Sequence, residues 1–499
     1  MARAGLIEAD VAVVGAGAAG LYAALTASRA GGRVALVSAT RLAQTASYWA
    51  QGGLAAAMAV DDSPERHLAD TLAAGRGAGR PSTARVLCED APERVRELEA
   101  LGVRFDADRF GRLALGLEGG HSVRRVVHAG GSATGRRITR QLSADVVADE
   151  HIVVLEGRRA AALHVHDGRC TGVCTHDGTA VSARGVILAS GGAAALWSRT
   201  TNPPGAFGSG LLLALAAGAP LADLELMQFH PTAVVDPRRT DSAGRPRRSV
   251  EGFLITEAIR GEGAILLGAD GERFVDELAP RDEVARAIET RLRESGERSV
   301  GLDMRMVDPR RFPNVVNALR DAGIEPTREL VPVAPAAHYS MGGVATDADG
   351  RARLDGLYAV GESACTGLHG ANRLASNSLS ECFVFGRRAA LAALEAPDRP
   401  AGVAPAAGEP LETAATMLPS AETRAAVWEL AGLERDRTGL ERLATLDHPL
   451  ARLVAASALA REESRGAHRR RDHPERDPGL DECHSVVSPG SGPVFERWT

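Results

Sequence analysis

The sequence predicts an α/β chain, α+β overall. A parallel sheet flanked by helices is interrupted by a second α+β unit and followed by a small helical bundle. Three stretches carry that expectation. The apolar run Val11 to Val14, a glycine-rich turn from Gly15 to Gly20, helix-forming Ala18 to Arg29 and a second apolar run within Arg33 to Ser38 follow as strand, turn, helix and strand. Far downstream, strand-like Leu357 to Val360 leads through a polar run, Gly361 to Leu379, into helix-like Glu381 to Leu394. Between them, after about Asp223, the character changes to long loops and separate helices.

Taken in order, Leu68 to Arg104 is mostly helical, broken near Gly75 to Pro81. Ile152 to Val186 alternates short apolar runs with the turn signals Asp167-Gly168 and Asp177-Gly178, which predicts an antiparallel insert. Gly185 to Gly192 reads as a buried strand ending in a glycine turn. The predicted division is a nucleotide-binding domain over 1–223 that resumes over 340–400, with an inserted capping domain over 224–339. The cap includes a Pro- and Arg-rich loop from Asp236 to Arg248 and a helix from Asp282 to Ser295. A linker from Glu395 to Glu409 leads to a C-terminal helical domain over 410–475, helical from Ala421 to Arg461 by its apolar spacing. Residues 476–499 lack periodicity and read as a loosely attached tail.

The length of 499 residues exceeds one ordinary core, in keeping with several domains. A hydrophobic content of 44% with 24% charged residues predicts a soluble globular protein, and the net charge of −6 predicts no nucleic-acid partner. The longest apolar run, Leu211 to Leu221, falls short of a membrane span, and no signal peptide is expected, so the predicted location is cytoplasmic. All 58 basic residues are arginine. Without lysine a Schiff base is impossible and a P-loop lacks its phosphate ligand, which removes two large classes of enzyme. The six cysteines are scattered, and Cys170 and Cys174 fall on a predicted hairpin, so no metal centre is expected.

Gly15, Gly17 and Gly20 have the spacing of a dinucleotide turn, placed between a strand and a helix as that chemistry requires. The acid that would hold a ribose hydroxyl about 20 residues on is replaced by Ser38, which favours a flavin over plain NAD. Gln44 to Gly53 adds a hydroxyl- and glycine-rich segment. Elsewhere Glu118-Gly119-Gly120-His121-Ser122, the stretches 227–232, 256–263 and 280–282, and Ala337-His338-Tyr339 concentrate charge beside flexible backbone. Their sum (His230, His338, Arg281, Arg373 and Glu118) is mostly cationic donors with one carboxylate, which suits a small dicarboxylate bearing one positive group.

The motifs GAGAAG (15–20), AQGG (50–53), EGGHSVRR (118–125), MQFHPT (227–232), TEAIRGEG (256–263), PRD (280–282), PAAHYS (335–340) and GLHGANRLASNSL (367–379) occur in one order, within a match that runs from about Asp10 to at least His468. They resemble those of the L-aspartate oxidases, in the succinate dehydrogenase/fumarate reductase flavoprotein superfamily. The resemblance implies a Rossmann-like FAD-binding domain interrupted by an α+β capping domain, plus a C-terminal helical bundle. It implies FAD held noncovalently, because Thr45 to Trp49 lacks the histidine that attaches flavin in membrane-bound relatives.

Carried over residue by residue, FAD would lie against Gly15, Ala16, Gly17, Ala18, Ala19 and Gly20, then Ala46, Ser47, Gln51, Gly52 and Gly53, then Glu362, Ser378 and Leu379. Ala39 and Ser209 stand where relatives have a lysine and an aspartate, which would weaken FAD retention. Arg373, His230 and His338 would hold the two carboxylates, with Thr256 and Ser376 nearby, and Glu118 would pair with the α-ammonium. Arg281 matches the family's proton donor/acceptor, with Glu257 and Arg260 as its relay. The implied reaction passes hydride from L-aspartate to flavin N5, giving iminoaspartate, with reoxidation by O2 (yielding H2O2) or by fumarate. This is the first step of NAD biosynthesis, and quinolinate synthase, the next enzyme, is the partner so implied. A soluble fumarate reductase/succinate dehydrogenase-like flavoprotein and a non-catalytic flavoprotein subunit are the competing readings. Glu118 argues against the first, and the intact set of His230, Arg281, His338 and Arg373 against the second.

Overall fold

A computed structural model describes residues 5–42, 44–236, 249–398, 403, 405, 407–408 and 411–499. All of the loop expected over Asp236 to Arg248 except Asp236 itself, and residues 399–402, 404, 406 and 409 of the linker expected over Glu395 to Glu409, lie outside the described residues.

The strands Val11–Val14, Val34–Val37 and Gly185–Leu188 are short, apolar and buried along their whole length, which is the pattern of a parallel sheet covered on both faces. They form the centre of a five-stranded parallel sheet, flanked by Leu357–Ala359 at one edge and Ile152–Leu155 at the other. The helices Ala18–Arg29 and Asn377–Leu394 pack against each other beside this sheet, with Tyr22 and Phe383 meeting edge to face at 5.2 Å. Ile152–Leu155 departs from expectation: it is a parallel member of the main sheet, paired with Val34–Val37, and only the following strands are antiparallel. The turn at Glu156-Gly157 hid that change of partner from a reading of local pattern.

A second core forms around Ile259, Leu266, Val284, Ile288, Val315 and Leu319. It rests on a four-stranded sheet ordered Met227–Val234, Val331–Ser340, Val300–Asp303 and Ile265–Leu267. Pro231 sits inside the first of these strands, where an ordinary ladder would miss its N–H. The register slips between His230 and Ala233, and this irregularity accommodates the proline.

The helices Ala421–Leu430, Arg437–Leu443 and Pro449–Ala460 follow. The last segment is no loose tail. Cys483–Val487 and Val494–Arg497 form strands of a five-stranded sheet, and Cys483–Val487 pairs with Leu221–Ala222. Its anchor is a buried carboxylate: Asp223 accepts from His484 Nδ1 at 2.5 Å and from the Ser485 N–H at 3.0 Å. The site helix also begins earlier than expected, at Asn377 instead of Glu381, because Asn and Ser are well tolerated in a first turn although poor in a helix interior. Among the described residues no helix is long and apolar enough to cross a membrane.

Candidate active site

At one end of the parallel sheet the glycine turn has two different tasks. Gly15 has φ +113°, and a Cβ there would lie 2.2 Å from the Ala189 carbonyl oxygen; one at Gly20 would lie 1.9 Å from that of Gly15. These two glycines let the strand and helix pack. Gly17 is different, since the nearest atom to its would-be Cβ is Ser47 Oγ at 3.1 Å. The helix Ala18–Arg29 starts there without a side-chain cap, and the Ala18 N–H donates to Ser47 Oγ at 3.0 Å. An uncapped helix start with a glycine approach fits the pyrophosphate of FAD.

Around that turn stand Ala16, Ala18 and Ala19, all buried, and the short helix Ala46–Trp49 carrying Ser47. Gln51 donates to the Leu254 carbonyl at 2.6 Å, fixing the Gly52-Gly53 segment beside the second unit. Glu362 accepts from the Ser340 N–H at 2.8 Å, and burial pushes its carboxyl up to about 7 against that hydrogen bond. Ser378 and Leu379 lie in the first turn of the helix Asn377–Leu394. Ala39 is exposed just past Val34–Val37, and Ser209 opens the helix Ser209–Ala216.

The histidines stand on the antiparallel strands Met227–Val234 and Val331–Ser340, with rings 5.1 Å apart. His230 Nδ1 accepts the Thr232 N–H at 3.2 Å. Burial first, and then the Arg281 charge, holds His230 well below the usual histidine range; burial and Arg373 do the same for His338. In a neutral His230 whose Nδ1 accepts, Nε2 carries the proton and can donate to a carboxylate. His338 Nδ1 bonds Thr201 Oγ1 at 2.8 Å, and its backbone carbonyl accepts from Asn202 at 2.6 Å.

Both arginines converge on one atom. Gln228 Oε1 accepts from Arg281 Nη1 at 3.2 Å and from Arg373 Nε and Nη2 at 3.2 and 3.1 Å. The Gln228 amide nitrogen donates to Asn372 Oδ1 at 3.0 Å and the Arg373 carbonyl at 2.8 Å, so its orientation is fixed. Arg281 is neutralised by Glu257 (Nε to Oε2, 2.7 Å). Burial alone would push the Glu257 carboxyl up, but the charges of Arg281 and Arg260 and the Gly119 N–H outweigh it and hold it down at about 2. Arg373 instead sits 4.2 Å over the Tyr339 ring and bonds Ser378 Oγ. Burial, with the Arg281 charge, lowers it to about 10.

Glu118 is 2% exposed. Its Oε2 accepts from Ser376 Oγ at 2.6 Å, and Ser376 Oγ accepts in turn from the Gly53 N–H at 3.1 Å. Glu118 Oε1 is buried with no hydrogen-bond partner among the described residues. Such an oxygen forgoes hydration, a cost of about 1–3 kcal/mol or more for a charged group, until a donor arrives. Ser376 holds φ +60°, a left-handed conformation that costs a non-glycine residue roughly 1–2 kcal/mol.

Of the residues the sequence singled out, Arg281, Arg373, Glu257 and Arg260 form one connected set, His230 with His338 a second, and Glu118 with Ser376 a third. Thr256 is buried at the start of Glu257–Gly261, with no side-chain capping bond. Ala39 and Ser209 have no bond to these sets. Gln228 and Tyr339 were missed as participants although both lie within motifs that drew attention. Their polar neighbours, not their residue types, give them their tasks.

Comparison with known proteins bears on the same residues. A model described as an FAD binding domain matches residues 10–379, and one described as a fumarate reductase flavoprotein C-terminal region matches 438–493. The chain is 43% identical to an L-aspartate oxidase of Streptomyces coelicolor, over 96% of this chain and 91% of that protein. It is 46% identical to an L-aspartate oxidase of Caulobacter vibrioides, over 93% and 94%. Among solved structures it is similar to a quinol-fumarate reductase with menaquinol (TM-score 0.87, 29% identity, 99% and 98% covered). A variant of the E. coli quinol fumarate reductase is also similar (TM-score 0.85, 28% identity, 98% and 96% covered).

Proposed function

Since the chain belongs to the L-aspartate oxidase family of FAD-dependent oxidoreductases, we propose that it oxidises L-aspartate to iminoaspartate with O2 or fumarate as acceptor, the first step of de novo NAD biosynthesis. FAD supplies the two-electron acceptor. The cofactor is held noncovalently, a reading supported by the absence of histidine from Thr45 to Trp49. Acid precipitation should then leave all the flavin in the supernatant.

The observation that carries the substrate assignment is the orphaned Glu118 Oε1. Its proximity to the arginines is felt electrostatically at Arg373. A site of cations and neutral imidazole donors suits two carboxylates, and one desolvated carboxylate oxygen among them suits an ammonium. Arg373 takes one substrate carboxylate, since among the described residues it has no acidic partner within salt-bridge distance. His230 and His338 donate Nε2–H to the carboxylates, and Thr256 and Ser376 close the periphery. Glu118 Oε1 accepts an N–H of the α-ammonium and so orients Cα–H. The proton that must leave nitrogen goes to the Arg281–Glu257–Arg260 row. A guanidinium has no free lone pair, so Arg281 takes this proton only as its own Nε proton moves to the Glu257 carboxylate 2.7 Å away, and Arg260 stands 3.5 Å from that carboxylate on the other side. The Gln228 amide keeps both arginines in register while this occurs.

The test is anaerobic addition of L-aspartate or succinate to the FAD-loaded protein. Loss of the oxidised-flavin absorbance with aspartate alone supports the reading. Loss with succinate instead would move the chain to a dicarboxylate reductase, the activity in the names of its structural neighbours.

A further inference from the structure

Behind Glu118 a buried chain of polar side chains serves neither the flavin turn nor the arginine cluster. It begins at two carboxylates. Asp62 accepts from Arg125 Nε and Nη2 at 2.8 and 3.0 Å, and Asp70 accepts from Arg125 Nη1 at 2.5 Å. Asp70 also takes the N–H and hydroxyl of Ser122, both at 2.8 Å. Arg125, wholly buried, passes the contact on through Nη1 to His121 Nδ1 at 3.1 Å. His121 Nε2 then meets the Ala375 carbonyl at 2.9 Å.

Chemistry fixes the direction of every bond in this row. A guanidinium only donates, so His121 Nδ1 must accept, and Nε2 therefore carries the proton it gives to Ala375. A doubly protonated ring would set N–H against N–H. The last peptide in the row precedes Ser376, the strained residue whose hydroxyl holds Glu118. The other side of that residue is pinned as well, its carbonyl accepting from the Ala55 N–H at 3.1 Å. The loop bearing Glu118 is tied to the same row, because the His121 N–H donates to the Glu118 carbonyl at 3.2 Å.

We propose that Asp62, Asp70, Arg125 and His121 form a positioning row that fixes the Ser376 turn, aims Glu118 Oε1 at the substrate's ammonium, and so sets the preference for amino dicarboxylates over plain ones. The inference rests on the reading of Glu118 given above. His121 acts through Ser376 and Glu118 and touches neither substrate nor cofactor. Gln is its closest mimic, since one end of a side-chain amide accepts from Arg125 while the other donates to Ala375.

The experiment compares His121→Leu, His121→Gln, Glu118→Gln and the His121→Leu/Glu118→Gln double variant as FAD-loaded proteins. It reads kcat and KM for L-aspartate, the succinate dissociation constant from the perturbed flavin spectrum, and FAD content. The expected result for His121→Leu is a rise in aspartate KM of about tenfold, or about 1.4 kcal/mol. Succinate affinity and FAD content should stay within about twofold, His121→Gln should restore the KM, and His121→Leu should add nothing in the Glu118→Gln background. An unchanged KM, an equal loss of succinate affinity, or a full additional loss in the double variant would overturn the row as a positioning device. Should His121→Leu not fold, Asp70→Asn, which slackens Arg125 at the far end, carries the same test with an expected rise of about threefold. A wild-type protein that oxidises aspartate while these variants are inert refutes only this inference. One that never oxidises aspartate removes the functional reading beneath it.

Discussion

Among the described residues, two of the buried ionic networks are built to different rules. Near the C-terminus, Arg461 gives Nε to Glu225 (2.7 Å), Nη1 to Glu463 (3.0 Å) and Nη2 to the Cys483 carbonyl (3.0 Å). Arg465 grips Glu463 through two nitrogens and spends the third on Asp481 and the Arg76 carbonyl. The remaining Glu225 oxygen takes the Ser485 hydroxyl, and the second Glu463 oxygen also takes the Asp477 N–H. Around the candidate site, by contrast, Glu118 Oε1 and two nitrogens of Arg260 lack hydrogen-bond partners, and one amide oxygen serves two guanidiniums. Charge burial alone therefore does not mark a functional site. The first network holds parts of the fold together, though Arg435 Nε and His484 Nε2 beside it also lack partners, whereas the second leaves a carboxylate oxygen and two guanidinium nitrogens unpaired.

The contrast can be broken from either side. Arg373→Leu should cost turnover most, about 5 kcal/mol or three to four orders of magnitude in kcat/KM. FAD content and melting temperature should hold, and near-normal steady-state rates would remove the carboxylate clamp. Arg461→Leu should do the reverse. It strands Glu225 and Glu463 and should lower unfolding free energy by about 3–5 kcal/mol in a denaturant titration, with kcat per folded molecule retained.

Acid should reveal the histidines on both sides. Burial holds His230, His338 and His468 well below the usual histidine range, so the unfolded chain binds more protons than the folded one as pH falls below about 6.5. Stability should thus rise with pH through that window and fall below it, each histidine contributing up to about 1.4 kcal/mol per pH unit. Saturating succinate should flatten the shares of His230 and His338, by placing carboxylates beside them, and leave that of His468. Melting curves from pH 5 to 8, with and without succinate, would read the difference.

Smaller effects refine the picture. Glu118→Gln should raise the aspartate KM by about 1.5–3 kcal/mol, in line with the loss of a hydrogen bond to a charged group, and change fumarate reduction far less. Equal losses would deny Glu118 its role. Arg76 clasps Asp282 through two bonds of 3.0 Å, one residue from Arg281. Because its side chain is 30% exposed, Arg76→Ala should cost under about 1 kcal/mol of stability and make the aspartate KM less sensitive to salt.

What was legible in the sequence is what depends on neighbours along the chain. The turn at Gly15 to Gly20, the helix Ala18–Arg29 and the family motifs all announce themselves locally. The strand Cys483–Val487 could not, since its partner Leu221–Ala222 is remote in sequence and its tie to Asp223 is a single buried charge. The partner of Ile152–Leu155 was equally hidden, because a four-residue apolar run fits either kind of sheet. Within the site, the arginines and histidines were visible as residue types. Gln228 became visible only when its amide lay between two guanidiniums, and the Arg125 row only when Ala375 came to meet His121.

The strands Met227–Val234 and Val331–Ser340 bear the two site histidines and also carry the chain out to the second core and back. Phe229 faces Ala337 and His230 faces Ala336, so exit and return are adjacent rungs of one ladder. The described residues 249–330 are knitted back to these strands: Thr232 Oγ1 donates to the Ile255 carbonyl at 3.0 Å, the Val234 N–H to the Phe253 carbonyl at 2.9 Å, and Arg281 Nη1 to Gln228 at 3.2 Å. Thr256, Glu257, Arg260 and Arg281 lie on this inserted segment, whereas His230 and His338 lie on the two strands that frame it. The candidate site is thus held in two parts, one set by the ladder of these two strands and one by the segment between them.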